Sequence, residues 1–179
     1  MKKKLLILLV LSGSGCLFSF FTQRNSSPAD KLVSFYTEQM HLLSKNISAL
    51  RTAVVTRQNT ATLQHHFLQA RLSYKKLELI LSYYYEGDLN RFNGLAVNFI
   101  EEEDPTAFQE PQGFQVIETL LYPAYNSKNQ ADLLLYIDKL ANITEGLGGN
   151  SALFHPGPYV PDAIMEELYR LISLGITGF

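Results

Sequence analysis

The chain has one cysteine and no tryptophan in 179 residues. A single cysteine forms no internal disulfide, so an oxidising compartment would add no cross-link to the fold. It also leaves no Cys-x-x-Cys-His, so this chain cannot attach a c-type haem covalently. Charged residues make up only 18% of the sequence. Four of the 15 basic residues (Lys2, Lys3, Lys4 and Arg24) lie at the extreme N-terminus, against 17 acidic residues elsewhere, which leaves a body of net charge about −6. Phosphate backbones are bound by clustered Lys and Arg, so this acidic body excludes nucleic acid as a partner. There is no glycine-rich phosphate loop, and no Ser, Cys or Thr nucleophile has a recognisable base partner. No repeat and no period-two alternation is present, which excludes solenoids and sheet-built folds.

What is there begins with a targeting segment. Lys2, Lys3 and Lys4 form a positive region, and residues 5–11 are continuously apolar. Small residues then precede Cys16, the position of the lipidated cysteine in a bacterial lipoprotein. Gly13 stands where such a signal usually has Leu, and Leu17, Phe18, Phe20 and Phe21 extend the apolar run. Residues 5–21 thus also reach the short end of the roughly 17–25 residues that span a bilayer. A lipoprotein signal, an uncleaved anchor and a simple cleaved signal all remain open. Each carries the body across a membrane, which places the protein in the bacterial cell envelope. Residues 1–24 are read as this segment and 25–179 as the domain.

The body reads as all-α, a bundle of about four to five helices built on a long antiparallel hairpin. Ser27-Pro28 is a cap followed by proline at the first helical position. Leu32, Tyr36, Met40, Leu43, Ile47, Leu50 and Val54 then recur at spacings of three and four, predicting a helix to about residue 58. Asn59-Thr60 recaps the chain. Leu63, Phe67, Ala70, Tyr74, Leu77, Leu81 and Tyr84 make the second stripe, and Glu86-Gly87-Asp88 is expected to end it. Residues 88–113 should be mostly loop, with an acidic run at 101–104 that reads as solvated rather than as a Ca²⁺ site. A short helix from Gly113 stops at Tyr122-Pro123. Another is expected over 128–144, with Leu133, Leu134, Ile137 and Leu140 inward, ended by the glycines at 146, 148 and 149. A last helix over 161–174 carries Ile164, Leu168, Leu171 and Ile172. Residues 174–179 lack a polar tail, which reads as a chain cut within a longer protein.

The candidate chemistry centres on Gln115 and Glu118, three residues apart and so one helical turn from each other. Both could face a ligand, or Glu118 could pair with a cation of the second helix while Gln115 caps a loop. Arg71, Lys75 and Glu78 lie beside Tyr74 at spacings of four and three. Lys75 and Glu78 can pair locally, and Arg71 or Lys75 could reach Glu118 across the bundle. Gln is a weak neutral donor to a metal, so no metal site is expected. Adjacent His65 and His66 point to different sides of a helix, and His41 and His155 read as structural.

Three stretches in order, residues 69–78 (QARLSYKKLE), 111–118 (PQGFQVIE) and 174–179 (LGITGF), carry a family likeness. The second resembles the Gly-x-His-x-x-Glu helix of imelysin-like proteins, with Gln115 in place of His. The combination resembles the helical region N-terminal to the di-haem domain of a group of bacterial cytochrome c peroxidases. The resemblance implies a non-catalytic envelope module that holds no cofactor itself, with haem c in a partner or in a domain beyond Phe179. Its partners would be that haem peroxidase domain or an electron-donor protein, and the membrane through the N-terminal segment. The alternative it leaves is a free-standing imelysin-type binding protein for iron or haem acquisition.

Overall fold

Ser27 starts the first helix by satisfying backbone groups that a helix end leaves without partners. Its Oγ accepts from the Asp30 amide at 3.1 Å, and the Asp30 carboxylate accepts from the Ser27 amide at 3.0 Å. This reciprocal cap opens α1, Pro28–Val55. A computed structural model describes residues 27–100, 108–149, 154–157 and 160–177. The helix ends three residues short of the expected 58 because Arg57 takes a left-handed φ of 53°. The amides of Arg57 and Gln58 fold back onto the carbonyls of Val54 and Ala53, at 3.1 and 3.0 Å, and this turn closes the helix. The Asn59 side chain then caps α2, Thr60–Tyr84, by accepting from the Thr62 amide at 2.9 Å.

The two stripes meet as their spacing predicts. Tyr36, Met40, Leu43, Ile47, Leu50 and Val54 of α1 are buried with Leu63, Phe67, Ala70, Tyr74, Leu77 and Leu81 of α2. Each large side chain so buried contributes about 1.5–3 kcal/mol. Asn46 crosses the seam and donates to Ser73 Oγ at 2.8 Å.

The chain departs from expectation at Glu86. These residues begin a helix rather than only ending one: α3, Glu86–Asn93, follows α2 after a bend at Tyr85. Glu86 and Asp88 in a first turn favour the positive helix end, and Arg91 pairs with Asp88 at 2.6 Å. Beyond it Phe99–Ile100 (β1) and Phe108–Gln109 (β2) form a two-residue antiparallel ladder, Phe99 opposite Gln109. The acidic run at 101–104 lies outside the described residues. Then come α4, Phe114–Leu121, a 3₁₀ turn at Ser127–Asn129, and α5, Gln130–Gly149.

Helix α5 runs through its glycines instead of stopping before them. Ile143 and Thr144 are buried, Leu147 packs on the core, and the Tyr36 hydroxyl donates to the Leu147 carbonyl at 3.3 Å. That packing outweighs the roughly 1 kcal/mol helix cost of a glycine. Helix α6, Val160–Thr177, packs on α2 and more lightly on α1. Among its described side chains Glu167 is the buried one, while Leu168 and Ile172 of the expected apolar stripe stay exposed. The architecture is an all-α bundle in which α2 and α5 flank α1 and α4 closes the end near Phe67. Among the described residues no helix is long and apolar enough to cross a membrane. The expected leader, with Cys16, lies outside them.

Candidate functional site

Helix α4 is held in place by its first residues. Gly113 has φ 91°, a backbone region that favours glycine. A Cβ there would stand 2.2 Å from the Phe92 carbonyl oxygen, so the backbone of Gly113 lies directly on the C-terminal turn of α3. Two residues on, Gln115 Nε2 donates to the Asn93 carbonyl at 2.9 Å. That carbonyl belongs to the last turn of α3, where intrahelical partners run out. Gly113 and Gln115 together clasp α4 to α3.

The apolar side of α4 enters an aromatic nest. Phe114 is fully buried, with its ring centroid 6.0 Å from Phe67 and 5.3 Å from Tyr74. Tyr74 in turn stacks on Phe92 at 5.5 Å and 19°. Val116, Ile117 and Leu121 complete the buried set. At the far end Gln64 of α2 donates to the carbonyls of Leu121 and Pro123, at 2.9 and 3.2 Å. Gln64 fixes the exit of α4, and nothing in the spacing of the sequence singles it out.

The polar side of α4 turns to α2. Glu118 accepts from Arg71 Nη1, and the Arg71 guanidinium lies 5.9 Å from the Phe67 ring centroid. The Arg71 and Glu118 side chains are 25% and 45% exposed, so water screens the pair. Lys75 does not reach Glu118. It donates to both carboxylate oxygens of Glu78 at 2.7 Å, with its Nζ 5.9 Å from the Tyr74 ring. The Tyr74 phenol is pushed well above its ordinary value by burial first and by the neighbouring Glu78 carboxylate second, so it stays a protonated donor.

Arg71, Tyr74, Lys75, Glu78 and Glu118 thus gather along one flank of α2, whereas Gln115 points to α3. The two polar residues of the short helix serve different neighbours. Among the described residues no group of three or more His, Cys, Asp or Glu is placed to hold a metal ion. His65 and His66 have ring centroids 5.7 Å apart at 70°. His41 lines a groove with Thr37, Ser44, Thr144 and Glu145 between α1 and α5. The arrangement can bond helices to each other, and its amide, guanidinium and carboxylate groups already have partners in the fold. Compared with protein-family models, with curated proteins and with solved structures, the chain matches none.

Proposed function

We propose that this chain is a non-catalytic helical module of the bacterial cell envelope, with an imelysin-like plan, that accompanies a di-haem cytochrome c peroxidase. In this role it docks an electron donor or positions the haem enzyme. The observation that carries the reading is the internal use of the motif: Gln115 bonds the end of α3, and Glu118 takes the Arg71 guanidinium. A metal- or substrate-binding helix keeps such groups turned to its ligand, while a scaffold uses them to fix its own elements. The three sequence stretches supply the peroxidase association, and the leader supplies the envelope address.

The test is a denaturing gel of native cell envelopes, probed with an antibody to the domain and stained for covalent haem. A haem-positive band well above 20.2 kDa, or recovery of a haem peroxidase with the domain after cross-linking, is the expected result. A haem-negative band near 20.2 kDa with no haem protein cross-linked to it overturns the reading. Specific haem or iron binding by the purified chain, abolished in Glu118→Ala, would then favour the free-standing acquisition protein.

A further inference from the structure

Helices α1 and α5 run antiparallel along one seam, and three bonds fix its register. The Tyr36 hydroxyl donates to the Leu147 carbonyl, Arg51 bonds Asp138, and Gln130 donates to the Val54 carbonyl at 3.1 Å. Between the first two of these ties the seam opens into a groove of about 270 Å³. Thr37, His41 and Ser44 line it from α1, and Glu145 lines it from α5, with the buried Met40 between the helices.

Seven residues return a helix to nearly the same side, so the groove can be compared with the closed part of the seam. Ser44 stands seven residues before Arg51, and Glu145 seven residues after Asp138. At Asp138 the guanidinium closes the seam on the carboxylate with two bonds, at 2.7 and 3.3 Å. At Glu145 the carboxylate recurs without the guanidinium. It shares the groove instead with the hydroxyls of Thr37 and Ser44 and the imidazole of His41. His41, Ser44 and Glu145 are exposed, and none of their side chains has a partner among the described residues. The Thr37 hydroxyl donates to the Val33 carbonyl at 2.8 Å, which leaves its oxygen to accept.

The donor types present select the ligand. An imidazole nitrogen and a carboxylate oxygen both offer lone pairs. Together they suit a divalent transition ion such as Zn²⁺, whereas Mg²⁺ and Ca²⁺ take oxygen ligands alone. Two protein donors leave the other coordination positions to water, which the Thr37 and Ser44 hydroxyls are placed to bond. Such a site is open, unlike the four-ligand cage of a structural zinc.

We infer that the groove between α1 and α5 is a binding site for a divalent transition-metal ion, held by the His41 imidazole and the Glu145 carboxylate across the seam. The ion takes the place at Glu145 that Arg51 takes at Asp138. This site is separate from the α4 helix and its motif, goes beyond the module reading, and does not depend on a haem partner.

The probe is Zn²⁺, titrated into the full 179-residue chain while the imidazole C–H NMR signals of its four histidines are followed. The His41 signals should shift saturably, with a dissociation constant on the order of 100 µM or tighter. His65, His66 and His155 should need at least about fivefold more ion. Glu145→Gln should weaken the His41 site about tenfold and leave the other three histidines unchanged. Glu145 is exposed, so the melting temperature of that variant should hold. Following each histidine separately keeps zinc taken by Cys16 out of the reading, and Mg²⁺ should shift none of the four. Equal affinity at all four histidines, an adventitious ion only, overturns the proposal. So does a His41 titration unchanged in Glu145→Gln, or no saturable shift at His41 up to about 1 mM.

Discussion

The carboxylate of Glu167, on α6, accepts a hydrogen bond from the Ser82 hydroxyl, on α2, and another from Arg170 Nε at 2.9 Å. Glu167 is only 3% exposed, so this is a buried polar tie between the last helix and α2. Hydrogen bonds from Arg170 and Ser82 favour the ionised form and hold the carboxyl below its ordinary value of 4.5, against the opposing effect of burial. A carboxyl whose folded pKa is depressed adds stability above its unfolded value and loses it as pH falls through the folded one. Helix α6 should therefore loosen first on acidification below about pH 4.5. Limited proteolysis across that range checks this in the full chain. In Glu167→Gln the protease sensitivity of α6 should already be raised at pH 7 and change less on acidification.

The clasp between α3 and α4 rests on backbone shape more than on side-chain bonding. Gly113→Ala combines a positive φ with a methyl group driven into the Phe92 carbonyl, and should cost about 2 kcal/mol or more. Gln115→Ala leaves only the Asn93 carbonyl without its partner and should cost about 1 kcal/mol. For a domain of this size these correspond to falls of about 6 °C and 3 °C in melting temperature, read by circular dichroism. A Gly113→Ala protein as stable as the parent would contradict the geometry.

The contrast between those two residues also marks what the sequence reveals. The stripes of α1 and α2 were legible because one helix face against one partner imposes spacings of three and four from Leu32 through Tyr84. Element limits were less so. Glu86-Gly87-Asp88 contains a turn signal, but it also carries acidic residues that suit a helix start, and local sequence does not decide between them. The glycines of α5 are weak helix formers, and the contacts in that turn, Tyr36 on the Leu147 carbonyl and Met40 beside Gly148, come from over a hundred residues earlier. In the site, Gln115 and Glu118 stood out by spacing, yet their partners Asn93 and Arg71 belong to two different elements. Asn90, Asn98 and Gln112, which line one open cavity between α3 and α4, follow no period at all. Only the return of the chain past β1 and β2 brings them together.

The Arg71–Glu118 pair should contribute little by itself. Both side chains are partly in water, and exposed pairs of this kind couple by about 0.5 kcal/mol. A double-mutant cycle with Arg71→Ala and Glu118→Ala should return that coupling and shrink with added salt. Arg71→Ala alone should cost more than Glu118→Ala, because the guanidinium also lies over the Phe67 ring. Equal single-mutant losses would show that the ring contact contributes nothing.

Two tyrosines make the fold sensitive to alkali. Tyr36 and Tyr74 are buried to 0% and 1% exposure, and burial, reinforced by Tyr85 for the first and Glu78 for the second, raises both phenols well above 10.0. A raised acid is neutral in the folded protein where the unfolded chain would already have ionised. Its contribution is thus complete below pH 10.0 and is lost progressively above it. Stability to urea should fall steeply above about pH 10, and tyrosinate absorbance should show Tyr36 and Tyr74 ionising only as the chain unfolds. Tyr74→Phe keeps the ring between Phe92 and Phe114 while removing the ionisable hydroxyl. That variant should lose part of the alkaline dependence and change little at pH 7. If its alkaline unfolding matches the parent, the Tyr74 phenol has no part in the transition, and Tyr36 in the nest of Tyr85 and Phe154 becomes the group to replace next.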